Sequence, residues 1–238
     1  MSKAVRSLGF GVVAADIVSQ PWFDLNRPVV QSTLLGWISS GVAVSVWLGT
    51  PCCTWSQARH GPPGSSWCRL RDSSNLRGLP NLDPRASKAC KRGNSQLRFS
   101  LRIVRACLRV GTPVALENPG SSWMWQVPSL QRLSRDRTSH NCTTDYCSFG
   151  ARWRKRTRVQ VWAPAFSLSL PPLCRGRGGG CSNTNKPHIV LTGVDQSSGK
   201  LWTRVAEPYP VRFCHAFARA LKNSIDYNRL CRLRQIIH

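Results

Sequence analysis

Acidic residues are scarce in this chain: Asp and Glu number 10 among 238 residues, against 34 Lys and Arg, 27 of them Arg. The formal net charge is therefore +24 at pH 7. Such an excess is typical of proteins that bind polyanions, because guanidinium holds phosphate bidentately and stacks on bases. A GC-rich coding sequence is the alternative explanation, since the chain also has 18 Gly and 16 Pro. We expect a nucleic-acid partner.

The sequence has no apolar run long enough to span a membrane, and Asp16 interrupts the apolar stretch GVVAADIV near the N-terminus. These absences argue against a membrane anchor and a signal peptide. The 11 cysteines do not form the compact framework of a small disulfide-bonded protein. We therefore expect reduced thiols in an intracellular protein, in the nucleus of a eukaryote or otherwise in the cytoplasm.

Alternating apolar runs predict an α/β protein. Residues 2–10 resemble the end of a helix, 11–17 a buried strand that closes on Asp16, 29–41 a helix stopped by Gly41, and 42–49 a second strand. Strands that alternate with helices favour a parallel, doubly wound sheet. Residues 57–94, rich in Pro, Gly, Ser and Arg, are expected to form a long mobile loop.

The clearest helix is predicted over residues 96–110, where apolar residues recur at helical spacing and Gly111 follows as a cap. A basic stripe runs parallel to the apolar one and comprises Arg98, Arg102, Arg105 and Arg109. Such a stripe is more often a solvated face than a binding surface. Nothing local in the sequence decides between the two interpretations.

Two predicted strands end in chemically active residues. The run VAVSVWLG leads into TPCCTWS, and the run PVAL leads into Glu117 and Asn118. Because α/β proteins place chemistry in the loops that follow strands, a thiol and a carboxylate are expected at one edge of the sheet. The alternatives are a Cys pair buried in the core and a Glu-Asn-Pro turn that only ends a strand.

Three blocks carry a family resemblance: Pro51 to Ser56 (PCCTWS), Leu116 to Pro119 (LENP), and Tyr146 to Gly150 (YCSFG) followed by WRKRTRV. In this order they resemble the nucleophile, Glu-Asn and Tyr-Gly motifs of the DNA cytosine-5 methyltransferases, especially a phage-like branch. The blocks lie between residues 51 and 159, a little under half of the chain. The resemblance implies a Rossmann-like, doubly wound methyltransferase sheet and DNA rather than RNA as partner.

The resemblance also implies roles for individual residues. Cys52 would be the nucleophile that adds to carbon 6 of cytosine, and Glu117 would protonate or hydrogen-bond ring nitrogen 3 while Asn118 orders the loop. Cys53 would pack or tune its neighbour. The base must be flipped out of a duplex or already single-stranded. The basic residues expected to hold phosphates or the flipped base are Lys155, Arg156 and Arg158.

The family's methyl donor is S-adenosylmethionine, so the resemblance implies a cofactor site. Asp16 matches the acid at the ribose hydroxyls, Asp24 the polar residue near the adenine, and Pro51 lines the same site. The family's first strand and Gly-rich loop are not found in this sequence, which implies a fragment or an inactive copy. The alternative function is a non-catalytic, basic nucleic-acid-binding protein on a degenerate methyltransferase scaffold. Methylation of tRNA by the same chemistry is a further variant.

A small Cys/Gly-rich appendage is expected between a partial catalytic core, residues 1–162, and a C-terminal helix in 201–238 that packs back on it. In this segment, 163–200, the spacing C-x6-C-x6-H places Cys174, Cys181 and His188 at equal intervals. With Cys147 or Cys142 as fourth ligand, these residues would bind zinc. Buried or loop thiols without metal are the alternative.

Overall fold

The computed structural model describes residues 1–18, 20–59, 61, 65, 68–176 and 180–237, the last seven as backbone only. Its α-helices are α1 (Ser2–Arg6), α2 (Pro28–Ser39), α3 (Pro84–Val110), α4 (Pro128–Leu133), α5 (Trp202–Val205) and α6 (Val211–Ile237). Its strands are β1 (Val46–Gly49), β2 (Val114–Pro119), β3 (Ser139–Asp145), β4 (Arg156–Trp162), β5 (Val194–Asp195) and β6 (Lys200–Leu201). The chain is thus an α/β protein, as predicted.

The main sheet has four strands in the order β1-β2-β4-β3. The β1–β2 pair is parallel, whereas β4 pairs antiparallel with both β2 and β3. The sheet is therefore mixed, and the prediction of an all-parallel sheet was wrong. Because β4 runs opposite to its neighbours, β1, β2 and β3 all end at the edge where β4 begins. We call this edge the carboxyl edge.

Helices cover both faces of the sheet. On one face, Val114, Leu116 and Trp162 pack against α2 and α3. On the other face, Ala115, Val159 and Val161 pack against α1 and α6, whose Phe213, Phe217 and Leu221 are buried. This alternation follows from the two-residue period of a strand, which sends successive side chains to opposite faces. The result is a three-layer arrangement with the sheet in the middle.

Helix α3 begins well before the predicted start at residue 96. Asp83 caps the helix by accepting a hydrogen bond from the backbone N–H of Ala86 at 2.9 Å, and Pro84 occupies its first turn. Both residues are favourable at helix starts. The helix ends at Gly111, whose φ of 72° is left-handed as a glycine cap requires. The predicted loop over 57–94 therefore ends at Asp83.

The predicted strand over residues 11–17 is absent from the structure, which has turns and irregular backbone there. Val13, Ile17 and Val18 are exposed, at 61, 54 and 88%. Apolar β-branched residues suggested a strand, but a strand also needs a hydrogen-bonding partner along its length. In the described part of the chain, β1 pairs only with β2 and no strand lies along its other side.

The segment between β4 and α6 has little regular structure apart from the two-residue strands β5 and β6, which pair antiparallel, and the short helix α5. Among its described residues from 171 to 201, only Cys174 and Cys181 are buried. None of the described helices is long and apolar enough to cross a membrane.

Candidate active site and metal cluster

The loop after β1 is fixed by hydrogen bonds to its surroundings. The carbonyl oxygen of Cys52 accepts from the backbone N–H of Trp55 at 2.9 Å and of Ser56 at 3.0 Å, which closes the loop into a turn. The side-chain amide of Asn118 donates to the carbonyl of Thr50 at 2.7 Å. This bond joins the ends of β1 and β2, which is the contact expected if Asn118 orders the loop.

A buried arginine, Arg71, anchors the other side of the same loop. Its guanidinium is 1% exposed and lies 3.6 Å from the ring centre of Trp55. It donates to the carbonyl and hydroxyl of Thr54, both at 3.0 Å, and further to Leu76, Cys90 and Asn94. These contacts disperse a buried charge over many acceptors. Sequence reasoning missed this residue because its partners are 5 to 23 positions away.

Cys52 and Glu117 lie close together at the carboxyl edge. The strand register pairs Glu117 with Gly49, which lies three residues before Cys52. The thiol is partly buried, and burial raises its pKa; the Lys155 ammonium lowers that pKa, while the Glu117 carboxylate raises it. The structure therefore brings the predicted thiol, carboxylate and lysine within electrostatic range of one another.

The two oxygens of the Glu117 carboxyl have different environments. Oε2 accepts a hydrogen bond from the hydroxyl of Tyr209 at 2.9 Å, whereas Oε1 is buried without a hydrogen-bond partner among the described residues. Burial raises the pKa of Glu117, against the opposing effects of Lys155 and the Tyr209 hydrogen bond. A carboxyl group with one fixed and one unsatisfied oxygen is suited to donate or accept a proton at Oε1.

Tyr209 is a site residue that the sequence analysis did not identify. It lies 92 positions after Glu117, in the Pro-Tyr-Pro turn before α6. Its hydroxyl also accepts from the indole N–H of Trp47 at 3.3 Å and lies over Gly49, where a Cβ added to the glycine would be only 2.9 Å from it. The tyrosine between two prolines was the available signal, because such a turn fixes where the side chain projects.

The three predicted basic residues do not form one clamp. Lys155 donates to the carbonyl of Ala206 at 3.1 Å beside the thiol and carboxyl. Arg156 forms a bidentate pair with the buried Asp145, at 3.0 and 2.9 Å, and Arg158 lies 4.5 Å over Trp125 and donates to Gln160. Only Lys155 therefore faces the thiol and carboxyl.

The predicted cofactor residues are not assembled into a pocket. Asp16 is exposed and Asp24 is half-buried, and each accepts hydrogen bonds within its own turn, from Val18 and from Asn26. Pro51 is exposed beside Cys52 at the end of β1. The nearby cavity between Trp22 and α2 measures about 110 Å³ and is lined mainly by apolar side chains. That volume is well below the roughly 300 Å³ of small ligand sites.

Four potential metal ligands converge beside the turn between β3 and β4. The ligand atoms of Cys147, Cys174, Cys181 and His188 all lie within 4.8 Å of one another. The Sγ of Cys174 is 3.9 Å from that of Cys181 and 3.7 Å from His188 Nε2. This cluster can hold a metal ion. The alternative fourth ligand, Cys142, lies elsewhere, on β3 in the apolar core, where burial raises its pKa to about 11.

Comparison with known proteins yields no relative. No family model matches the chain, nor does any curated protein or solved structure. Function is therefore inferred from the residues themselves. At the carboxyl edge these are a thiol, a carboxyl group with one unsatisfied oxygen, and an ammonium group. The thiol can attack an electrophilic carbon, and the carboxyl group can protonate the atom on which negative charge then develops.

Proposed function

We propose that this protein acts on cytosine in nucleic acid, DNA rather than RNA, by the chemistry of the cytosine-5 methyltransferases, with S-adenosylmethionine as methyl donor. The observation that carries the proposal is the unsatisfied Oε1 of buried Glu117 beside the Cys52 thiol. The resemblance of PCCTWS and LENP to the family's motifs supports the same pairing. The net charge of +24 suits a polyanionic partner.

The chemistry of the chain's own residues follows from their positions. The Cys52 thiolate forms a bond to carbon 6 of a cytosine taken out of the base stack. The ring electrons displaced by this attack reach nitrogen 3, which takes the proton from Glu117 Oε1. The raised pKa of Glu117 keeps that proton available, and the Lys155 ammonium stabilises the attacking thiolate. Carbon 5 becomes nucleophilic as a result.

The residues expected to hold the methyl donor are not brought together among the described residues. Asp16 and Asp24, the expected partners of its ribose and adenine, already accept hydrogen bonds in their own turns. We therefore derive no step through S-adenosylmethionine; the steps given above involve the base alone.

Trapping with 5-fluorocytosine tests the complete reaction. In this base fluorine blocks the proton loss that releases the enzyme after methyl transfer, so the protein stays bonded to the DNA. With S-adenosylmethionine present we expect a covalent complex that survives denaturing electrophoresis. Cys52→Ser should abolish it because the hydroxyl is a far weaker nucleophile.

The adjacent thiol provides the matched control. Cys53 is exposed and follows Cys52 directly, so Cys53→Ser should leave the 5-fluorocytosine complex intact. Trapping that persists in Cys52→Ser and disappears in Cys53→Ser would move the nucleophile by one residue. Absence of trapping in the unmodified protein would contradict methyl transfer.

A second candidate function is nucleic-acid binding without catalysis. The local hydrogen bonds of Asp16 and Asp24 within their own turns favour it, since a protein that holds no methyl donor needs only its basic surface. This candidate predicts no trapping but a binding constant that falls steeply with salt, with a slope of about −0.9 per phosphate neutralised. A binding constant that does not change with salt would remove the charge argument.

Zinc is the metal that the cluster suits best. Three thiols and an imidazole are a frequent tetrahedral zinc set, and Zn–S bonds of about 2.3 Å place sulfurs about 3.8 Å apart. The observed separation of 3.9 Å between Cys174 and Cys181 is close to that value. Elemental analysis should find one zinc ion per chain, lost in Cys181→Ser and kept in the control Cys142→Ser. Equal zinc content in both variants would exclude this ligand set.

A further inference from the structure

The metal cluster and the candidate active site share one turn of the chain. This turn joins β3 to β4; Cys147, a cluster residue, lies near its start, and Lys155 lies at its end. The backbone N–H of Tyr146 donates to the carbonyl of Lys155 at 3.2 Å, which ties the two ends together. The Lys155 ammonium also lies 5.2 Å from the ring centre of Tyr146.

The Cys-rich segment is bound to the same turn at several points. The buried carboxylate of Asp145 accepts from the backbone N–H of Cys174 at 2.9 Å while it pairs with Arg156. The backbone N–H of Ile189, next to the ligand His188, donates to the carbonyl of Arg152 at 2.9 Å. Arg152 and Arg156, on either side of Lys155, are thus linked to residues of the Cys-rich segment.

The segment has almost no apolar core besides the cluster. Its only buried side chains among described residues 171–201 are Cys174 and Cys181, while Leu173, Val190, Val194 and Leu201 are exposed. A segment without an apolar core is ordered by cross-links or by metal, whose binding energy then becomes folding energy. The structure shows no disulfide among the described cysteines.

We propose that a metal ion bound by Cys147, Cys174, Cys181 and His188 positions Lys155 against the Cys52 thiol, and thereby sets the reactivity of that thiol. The ion contacts no reacting atom; it orders the turn that carries the lysine. This deepens the proposed function, because Lys155 and Cys52 belong to its site. The reactivity of the thiol is nevertheless measurable without cytosine chemistry.

The charged and titratable groups that face Cys52 determine what loss of the metal does. They are Lys155 on the turn, Glu117 on β2, Cys53 on the same loop and Tyr146 after β3. Lys155 is the group among them that favours the thiolate. If the turn loosens, the thiol loses its cationic neighbour, so the fraction of thiolate falls at any pH below the thiol pKa.

The test measures alkylation of Cys52 by iodoacetamide in a Cys53→Ser background, resolved by peptide mass spectrometry across a pH series. Chelation of the zinc-loaded protein should slow alkylation of Cys52 by about three- to tenfold, since one pKa unit changes the thiolate fraction about tenfold. Restoring zinc should restore the rate. Because the protein is measured before and after the same treatment, the test does not depend on the folding of a ligand variant.

Lysine variants decide whether the effect acts through Lys155. Lys155→Met should slow alkylation to a similar extent with zinc content unchanged, and chelation should then have little further effect. Lys186 is exposed and lies between the ligands Cys181 and His188. The control variant Lys186→Met should therefore behave like the unmodified protein. An unchanged rate after chelation, or the same slowing by chelation in Lys155→Met, would overturn the inference. Neither result depends on whether 5-fluorocytosine is trapped.

Discussion

At the scale of single residues, Glu117 connects the fold to the proposed chemistry. Glu117 is 7% exposed, one of its oxygens is held by Tyr209, and the other has no hydrogen-bond partner in the part of the chain that the structure describes. A structural glutamate would normally have both oxygens paired, because an unsatisfied buried polar atom costs about 1 to 3 kcal/mol. A ligand that forms a hydrogen bond to this oxygen would offset that cost.

Stability measurements on Glu117→Gln test the raised pKa. The folded-state pKa lies above the ordinary value of 4.5, so the stabilisation gained by protonation is complete below that pH and is lost as the pH rises through the folded-state pKa. The Gln variant has no such loss. Its unfolding free energy should therefore exceed that of the unmodified protein increasingly as pH rises, by about 1.4 kcal/mol for each unit of pKa elevation.

Urea unfolding at a series of pH values provides the measurement for Glu117→Gln. Glu207→Gln is the control, because that glutamate is exposed and pairs only with Arg204 across one helical turn. Its unfolding free energy should follow that of the unmodified protein within a few tenths of a kcal/mol. If the curves for Glu117→Gln and the unmodified protein run parallel, the carboxyl group is not held in its protonated form.

Some site residues were predictable from sequence and others were not. Cys52 follows β1 and Glu117 lies near the end of β2, so parallel pairing brings them to one edge without any knowledge of side-chain packing. Arg71 and Tyr209 act through contacts that depend on how distant loops fold onto the site. The Pro-Tyr-Pro run marks Tyr209, but no local pattern encodes which distant residues either side chain contacts, and both residues were missed for that reason.

At the scale of elements, helix α3 carries many exposed basic residues. It has eight exposed Lys and Arg and no acidic residue: Arg85, Lys88, Lys91, Arg92, Arg98, Arg102, Arg105 and Arg109. Its first half lies near the carboxyl edge, where Gly93 approaches Thr54 of the Cys52 loop. Its end leads into the start of β2, at the opposite edge of the sheet.

Two variants of α3, each with four basic residues replaced, distinguish a DNA-binding surface from a solvated one. Replacing the first four basic residues by Gln should weaken DNA binding and reduce the salt slope by up to about 3.6, or 0.9 per phosphate. Replacing the last four should have a much smaller effect, because they lie farther from the carboxyl edge. Salt titrations of fluorescence anisotropy measure both; equal losses would indicate only a general effect of charge.

The element predictions failed where tertiary partners decide the outcome. Residues 11–17 have the composition of a strand, but the described chain offers them no strand to pair with. The first turns of α3 were assigned to a loop because Gly93 and several polar residues obscured the helical period, although Asp83 and Pro84 formed a recognisable start. Helix α2 and strand β2, with strong apolar patterns, were predicted correctly.

At the scale of the whole molecule, an α/β arrangement with helices on both faces was predictable from alternating apolar runs. The antiparallel insertion of β4 was not, because it depends on the turn between β3 and β4 rather than on the composition of either strand. That insertion brings Lys155 to the edge where Cys52 and Glu117 lie. It also places the turn beside the Cys-rich segment, so the metal cluster and the thiol become neighbours in the fold.

The most direct test of the central claim, that Cys52 and Glu117 form a cytosine site, uses DNA containing 5-azacytosine without any methyl donor. In this base a nitrogen replaces carbon 5. After the thiolate adds to carbon 6, that nitrogen takes up a proton from solvent, so the adduct does not require methyl transfer. Peptide mass spectrometry should find the adduct on Cys52, formed more slowly in Glu117→Gln and absent in Cys52→Ser. DNA binding without an adduct, or an adduct on Cys53, would contradict the claim.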